Sequence, residues 1–141
     1  MNERPFSQTL NRLRDAGLRP TRQRLALGRL LFEGGDRHVT AEALHDEAQK
    51  AGCGVSLATV YNTLHQFTQA KLLREVVVDS ARTYFDTNIG DHHHFFIEEQ
   101  GALMDIAGDC LTVAGVPDAP MGTDIDRVDV IVRLRSTRPA G

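Results

Sequence analysis

Apolar positions between residues 6 and 70 recur at helical spacing. In FSQTLNRLRDA (6–16), Phe6, Leu10 and Leu13 share one face, and Gly17 ends the helix. PTRQRLALGRLLFE (20–33) gathers Leu27, Leu30 and Leu31, with Pro20 near its start. Gly34-Gly35-Asp36 reads as a turn. In HVTAEALHDEAQKAG, Thr40 is a natural N-cap and Gly52 a natural C-terminal stop. GVSLATVYNTLHQFTQA (54–70) starts a fourth helix at the cap Ser56, with Leu57, Val60, Leu64 and Phe67 toward the core. The period then changes. LLREVVVD (72–79) and TYFDTN (83–88) read as strands around a turn at Ser80-Ala81. HHFFIEE and ALMDIA flank a hairpin turn at Gln100-Gly101, VAGVPDAPMGTD is a loop, and VDVIVRLR (128–135) alternates as a final strand. The tail STRPAG is expected to fray.

Helices followed by a small hairpin is the order of a winged helix-turn-helix, in which the last helix enters the major groove. The expected class is α+β. A winged-helix domain spans residues 1–88, and a small α/β part spans 89–141. With 141 residues and 41% hydrophobic content, the chain can build one domain or two small ones. No apolar run approaches the ~20 residues of a membrane span. MNERPFSQTLNRLRD has no signal-peptide character, so the expected location is the cytoplasm. Cys53 and Cys110 are far apart and form no CxxC, so nothing in them points to a disulfide framework or a cysteine zinc site; both read as small hydrophobes. Net charge is −3, but it is divided unevenly. Residues 1–74 hold 11 Lys+Arg against 7 Asp+Glu, and residues 75–141 hold 5 against 12. A basic helical half joined to an acidic half suits a polyanion partner on one side only.

Five stretches carry a resemblance when taken in order: AGLRPTRQR (16–24), HVTAEAL (38–44), SLATVYNTL (56–64), RTYFD (82–86) and DHHH (91–94). Together they are similar to the Fur family of metal-responsive bacterial repressors, from about residue 10 to about residue 135. The departures are informative. Ile97 and Gln100 stand where the family has a CxxC pair, so the structural four-cysteine zinc site is not available. Residues 108–124 are Pro/Gly-rich where members have a longer helix, and Asp91 and His93 exchange the usual histidine and aspartate. That combination resembles the Irr branch, the iron response regulators, which implies a response to haem.

The resemblance implies a homodimer that binds an AT-rich operator through the N-terminal winged helix. The dimer would form through the sheet ending in VDVIVRLR. Ser56, Thr59, Tyr61 and Asn62 would address base edges, and Arg19, Arg22 and Arg24 would address phosphates. Spacing alone equally allows Tyr61 to pack against the wing and the arginines to form a solvated face. Carried over by position, the sensory metal site would be His38, Asp86, His92 and His94, bridging the two domains. His92 and His94 leave one strand face and His93 the other. These N/O ligands suit iron, manganese, cobalt or zinc. Haem would take axial ligands from His92, His93 and His94 beside Phe95 and Phe96, or from His38, His45 and His65. An Irr-type regulator would act on genes of iron and haem metabolism under iron limitation and leave DNA when haem binds. An ordinary Fur-type repressor needing Fe(II), Mn(II) or Zn(II) is the alternative. A metallohydrolase lacks support: there is no HExxH and no general base beside the histidines. A haem or metal carrier without a DNA role leaves SLATVYNTL unexplained.

Overall fold

A computed structural model describes residues 7–137. Phe6 and residues 138–141 of the tail lie outside them. The chain divides into two compact units, one up to Ile89 and one from Gly90, a boundary one residue beyond that drawn from the sequence.

The first unit holds four helices: α1 (Ser7–Asp15), α2 (Arg22–Phe32), α3 (Ala41–Lys50) and α4 (Leu57–Gln69). Three of them start on a hydroxyl cap. Thr21, Thr40 and Ser56 each accept a hydrogen bond from the backbone N–H three residues on, which satisfies an otherwise orphaned donor. Pro20 therefore precedes the cap of α2 and is not in its first turn. Gly52 ends α3 in the left-handed region, φ 79°, where a side chain is strained.

Leu13, Leu27, Leu31, Leu44, Val60, Leu64 and Phe67 are all fully buried, so the four helices share one core. Each such side chain contributes about 1.5–3 kcal/mol. Leu57 departs from its expected place: in the first turn of α4 it projects beyond the core and stays 37% exposed. Three strands complete the unit: β1 (His38–Val39), β2 (Arg74–Asp79) and β3 (Arg82–Asp86), in the order β1-β3-β2. β2 and β3 are the wing hairpin. Asp79 closes its turn by accepting from Ala81 N and the Arg82 guanidinium, and these bonds hold the Asp79 carboxyl below the usual carboxylate range. β1 was not foreseen. It makes an antiparallel pair with the end of β3, His38 opposite Asp86 and Val39 opposite Phe85.

The second unit is a three-stranded sheet of β4 (His93–Ile97), β5 (Ala102–Ile106) and β6 (Ile131–Leu134), in the order β5-β4-β6. β5 is antiparallel to β4 across the expected turn, and β6 is parallel to it. The final strand is shorter than VDVIVRLR, since residues 128–130 are not in the ladder. The α+β class holds for the chain, with its helices confined to residues 7–69. Among the described residues of the second unit there is no helix. Residues 107–130, with Pro117 and Pro120, form turns and extended chain.

One contact in the first unit is unusually close. A Cβ built on Gly28 of α2 would lie 2.7 Å from Cγ2 of Thr9, a buried residue of α1. Glycine is there for the approach of the two helices. Gly28→Ala should destabilise the protein by about 1–3 kcal/mol through overpacking, although alanine in an open helix would gain about 1 kcal/mol. Urea unfolding decides the sign, and a raised midpoint would show that α1 yields freely.

Candidate metal centre and nucleic-acid interface

The exposed side of α4 carries Leu57, Tyr61, Asn62, His65 and Gln66. Ser56 and Thr59 sit at its start and are bound to each other: Ser56 Oγ accepts from Thr59 N at 3.1 Å and donates to Thr59 Oγ1 at 3.0 Å. Arg19, Arg24, Thr59, Asn62 and Gln66 line a groove of about 440 Å³ between the start of α2 and α4. Most of the side chains expected to meet DNA therefore share one surface. Arg22 is exposed but lines a different, apolar pocket on the far side of α2.

Arg24 has another task. Its Nε and Nη2 donate to Gln66 Oε1 at 3.2 and 3.0 Å, and its Nη1 donates to the carbonyl of Arg19 at 2.9 Å. It clamps the start of α2 to α4, leaving Arg19 and Arg22 as the exposed cations. Gln66, its partner, was not singled out from the sequence, because the contact depends on how α2 crosses α4.

Two sets of metal donors occur, one in each unit. In the first, His38 Nε2 stands 3.1 Å from Asp86 Oδ2 across the β1–β3 ladder. Asp86 is fully buried, and its Oδ1 accepts from Asn88 N at 2.9 Å. The neighbours of the pair are tied as well: Arg37 N donates to Thr87 Oγ1, and the Arg37 guanidinium grips the Glu47 carboxylate with both amino groups.

In the second unit, His94 lies opposite Asp105 in the β4–β5 register. His92 is two residues from His94 and on the same face, and the two rings are 4.5 Å apart. Asp105 Oδ1 is 3.3 Å from His92 Nε2 and 3.4 Å from His94 Nε2. Both histidines are buried. Asp105 was absent from the sequence-derived set, although the hairpin turn at Gln100-Gly101 already implied its position opposite His94.

The three adjacent histidines have different roles. The ring Nδ1 of His92 meets the carbonyl of Gly90, which can only accept, so Nδ1 carries a proton and Nε2 is the ring nitrogen that faces Asp105. An imidazole nitrogen and a carboxylate oxygen 3.3 Å apart are joined by a proton or by a metal ion. His93 is the reverse. Its Nδ1 accepts from Val130 N at 3.0 Å, so the neutral ring has its proton on Nε2 and no lone pair to give a metal. His93 joins β4 to the chain entering β6.

The other histidines are also occupied. His45 is 3.0 Å from the side-chain amide of Gln49, and His65 packs against Tyr61 and Phe85. Neither belongs to a cluster of three or more histidine, cysteine and carboxylate donors among the described residues. Cys110 is exposed, and Cys53 is half-buried at the edge of the core.

A model of the ferric uptake regulator family matches residues 15–114. The chain belongs to that family. Members of the Fur family are metal-responsive transcriptional regulators that bind DNA, and are not enzymes. The chain is 30% identical over 103 residues to the peroxide-responsive repressor PerR of Staphylococcus aureus, covering 73% of this chain and 69% of that protein. Its fold is similar to that of the Vibrio cholerae ferric uptake regulator, with a TM-score of 0.71 at 20% identity over 90% of this chain and 98% of that one. The Pseudomonas aeruginosa ferric uptake regulator with manganese gives 0.67 at 24% identity, over 91% and 97%.

In this Fur-family chain the arginines separate by role. Arg19→Ala should weaken DNA binding for all sequences alike and lower the salt slope by about 1. Arg24→Ala should leave the salt slope unchanged and cost about 1 kcal/mol or more of stability. Titrations at several salt concentrations beside thermal melts test this, and a lowered slope in Arg24→Ala would make it a phosphate contact after all.

Proposed function

We propose that this chain is a transcriptional regulator whose operator affinity is set by one divalent metal ion. The proposed ligands are His38, Asp86, His92 and His94, to which the β4–β5 register adds Asp105. The observation that carries the reading is the state of His92. With Nδ1 engaged by Gly90, its Nε2 is the nitrogen left to face Asp105, beside the Nε2 of His94. Imidazole and carboxylate donors suit Fe(II), Mn(II), Co(II) or Zn(II) and disfavour soft ions. A bound ion supplies positive charge that satisfies the carboxylates. The chain's own part is to hold His38 and His94 opposite carboxylates in strand registers, with the Nδ1 of His92 engaged by Gly90.

The regulator acts as a homodimer in the cytoplasm on an AT-rich operator, since two recognition helices address two half-sites. Among the described residues no helix is long and apolar enough to cross a membrane. The signal distinguishes two finer readings. A haem-released, Irr-type regulator of iron and haem genes is favoured by the DHHHFF run without a following cysteine pair, with His38, His92 and His94 as the ligands that remain able to coordinate. A metal-dependent repressor that responds to peroxide is favoured by the 30% identity to PerR.

Anisotropy titration on an AT-rich duplex at fixed salt tests the proposal, because phosphate-driven affinity moves steeply with salt. Mn(II) should tighten binding in the wild type. His92→Ala should lose at least about tenfold in Mn(II) affinity, as changes in and around metal ligands do, while His93→Ala keeps it. An operator affinity indifferent to Mn(II) would contradict the metal reading. Release by haem from the Mn(II)-loaded protein selects the Irr-type reading, and release by peroxide selects the PerR-like one.

A further inference from the structure

We propose that His65 is a positioning residue for DNA recognition: held against Phe85 of the wing, it stacks on Tyr61 and fixes that ring on the exposed side of α4. The inference rests on the DNA-binding reading of α4. That helix, LATVYNTLHQFTQ, contains no Lys, Arg, Asp or Glu. Its contribution would come from uncharged contacts, to base edges and to phosphate oxygens, and not from a charge of its own. The direction of its few large side chains therefore matters.

Tyr61 is 36% exposed, so its ring has open space on one side. One helical turn on, the His65 ring lies 6.0 Å from it with the planes 24° apart. His65 is itself exposed, so it needs support. Phe85 gives it: the rings meet edge to face at 5.7 Å and 87°, and Phe85 is 1% exposed. A ring locked in the core thus orients an imidazole, which orients the tyrosine. Both spacings fall in the range of favourable aromatic pairs. Ordering Tyr61 before DNA arrives reduces the entropy lost on binding. The stack also begins beside a metal-donor pair, since Phe85 precedes Asp86 and lies opposite Val39, the neighbour of His38.

A double-mutant cycle on operator binding tests the idea. His65→Ala should weaken specific binding about two- to tenfold, with non-specific binding and salt slope unchanged. His65→Phe, which keeps the stack, should stay within about twofold of wild type. His65→Ala should add nothing in a Tyr61→Ala background. Additive losses, or equal loss in His65→Phe, would overturn the proposal and make the imidazole a DNA contact in its own right. A second readout needs no DNA. The chain has two tyrosines and no tryptophan, so Tyr84→Phe leaves Tyr61 as the only emitter. In that background His65→Ala should raise acrylamide quenching and lower the anisotropy of Tyr61, and His65→Phe should not. Unchanged quenching overturns the positioning role. Altered quenching in a protein that binds no operator would leave the positioning role standing and defeat the DNA-binding reading instead.

Discussion

In an antiparallel pair, the residue opposite a given position shares its sheet face, and once the register is set neither side chain can turn away from the other. This chain uses that constraint twice. β1 and β3 place His38 opposite Asp86, and β4 and β5 place His94 opposite Asp105. In each case an imidazole Nε2 and a carboxylate oxygen are held 3.1–3.4 Å apart by backbone hydrogen bonds and not by side-chain preference. Slipping either register by one residue would turn the donors to the other face. The supporting bonds serve the same end: Asn88 N on Asp86, Thr87 on Arg37, and Gly90 O on the ring of His92.

The same economy of position governs the DNA side. Caps at Thr21 and Ser56 fix where α2 and α4 begin, and Arg24 ties the two through Gln66. What remains exposed on α4 is uncharged, while Arg19 is an exposed cation lining the groove beside it. In the proposed DNA complex, charge and base-edge contacts would come from different elements. The acidic second unit, with 9 Asp+Glu against 4 Lys+Arg in residues 90–141, adds nothing to phosphate attraction.

Much of this was legible in the sequence because it depends on local rules. Helical spacing located four helices, Thr40 and Ser56 marked two starts, and Gln100-Gly101 marked the hairpin. The alternation of a strand separated His92 and His94 from His93. What was missed depends on contacts distant in sequence. β1 is two residues long, too short for any periodic signal, and exists because β3 offers it an edge. The role of His93 comes from Val130, 37 residues away, and that of Arg24 from Gln66, 42 residues away. Leu57 fits the helical stripe but lies beyond the end of the core that the stripe packs on. Asp105 is the exception: the turn fixed its partner, and only the register needed to be followed.

Metal K-edge absorption and anomalous diffraction from crystals of the Mn(II)-loaded protein test most directly whether the imidazole–carboxylate registers are metal sites. The expected result is bound Mn(II) in an N/O shell drawn from His38, Asp86, His92, His94 and Asp105. An ion held elsewhere, with these side chains unligated, would contradict it.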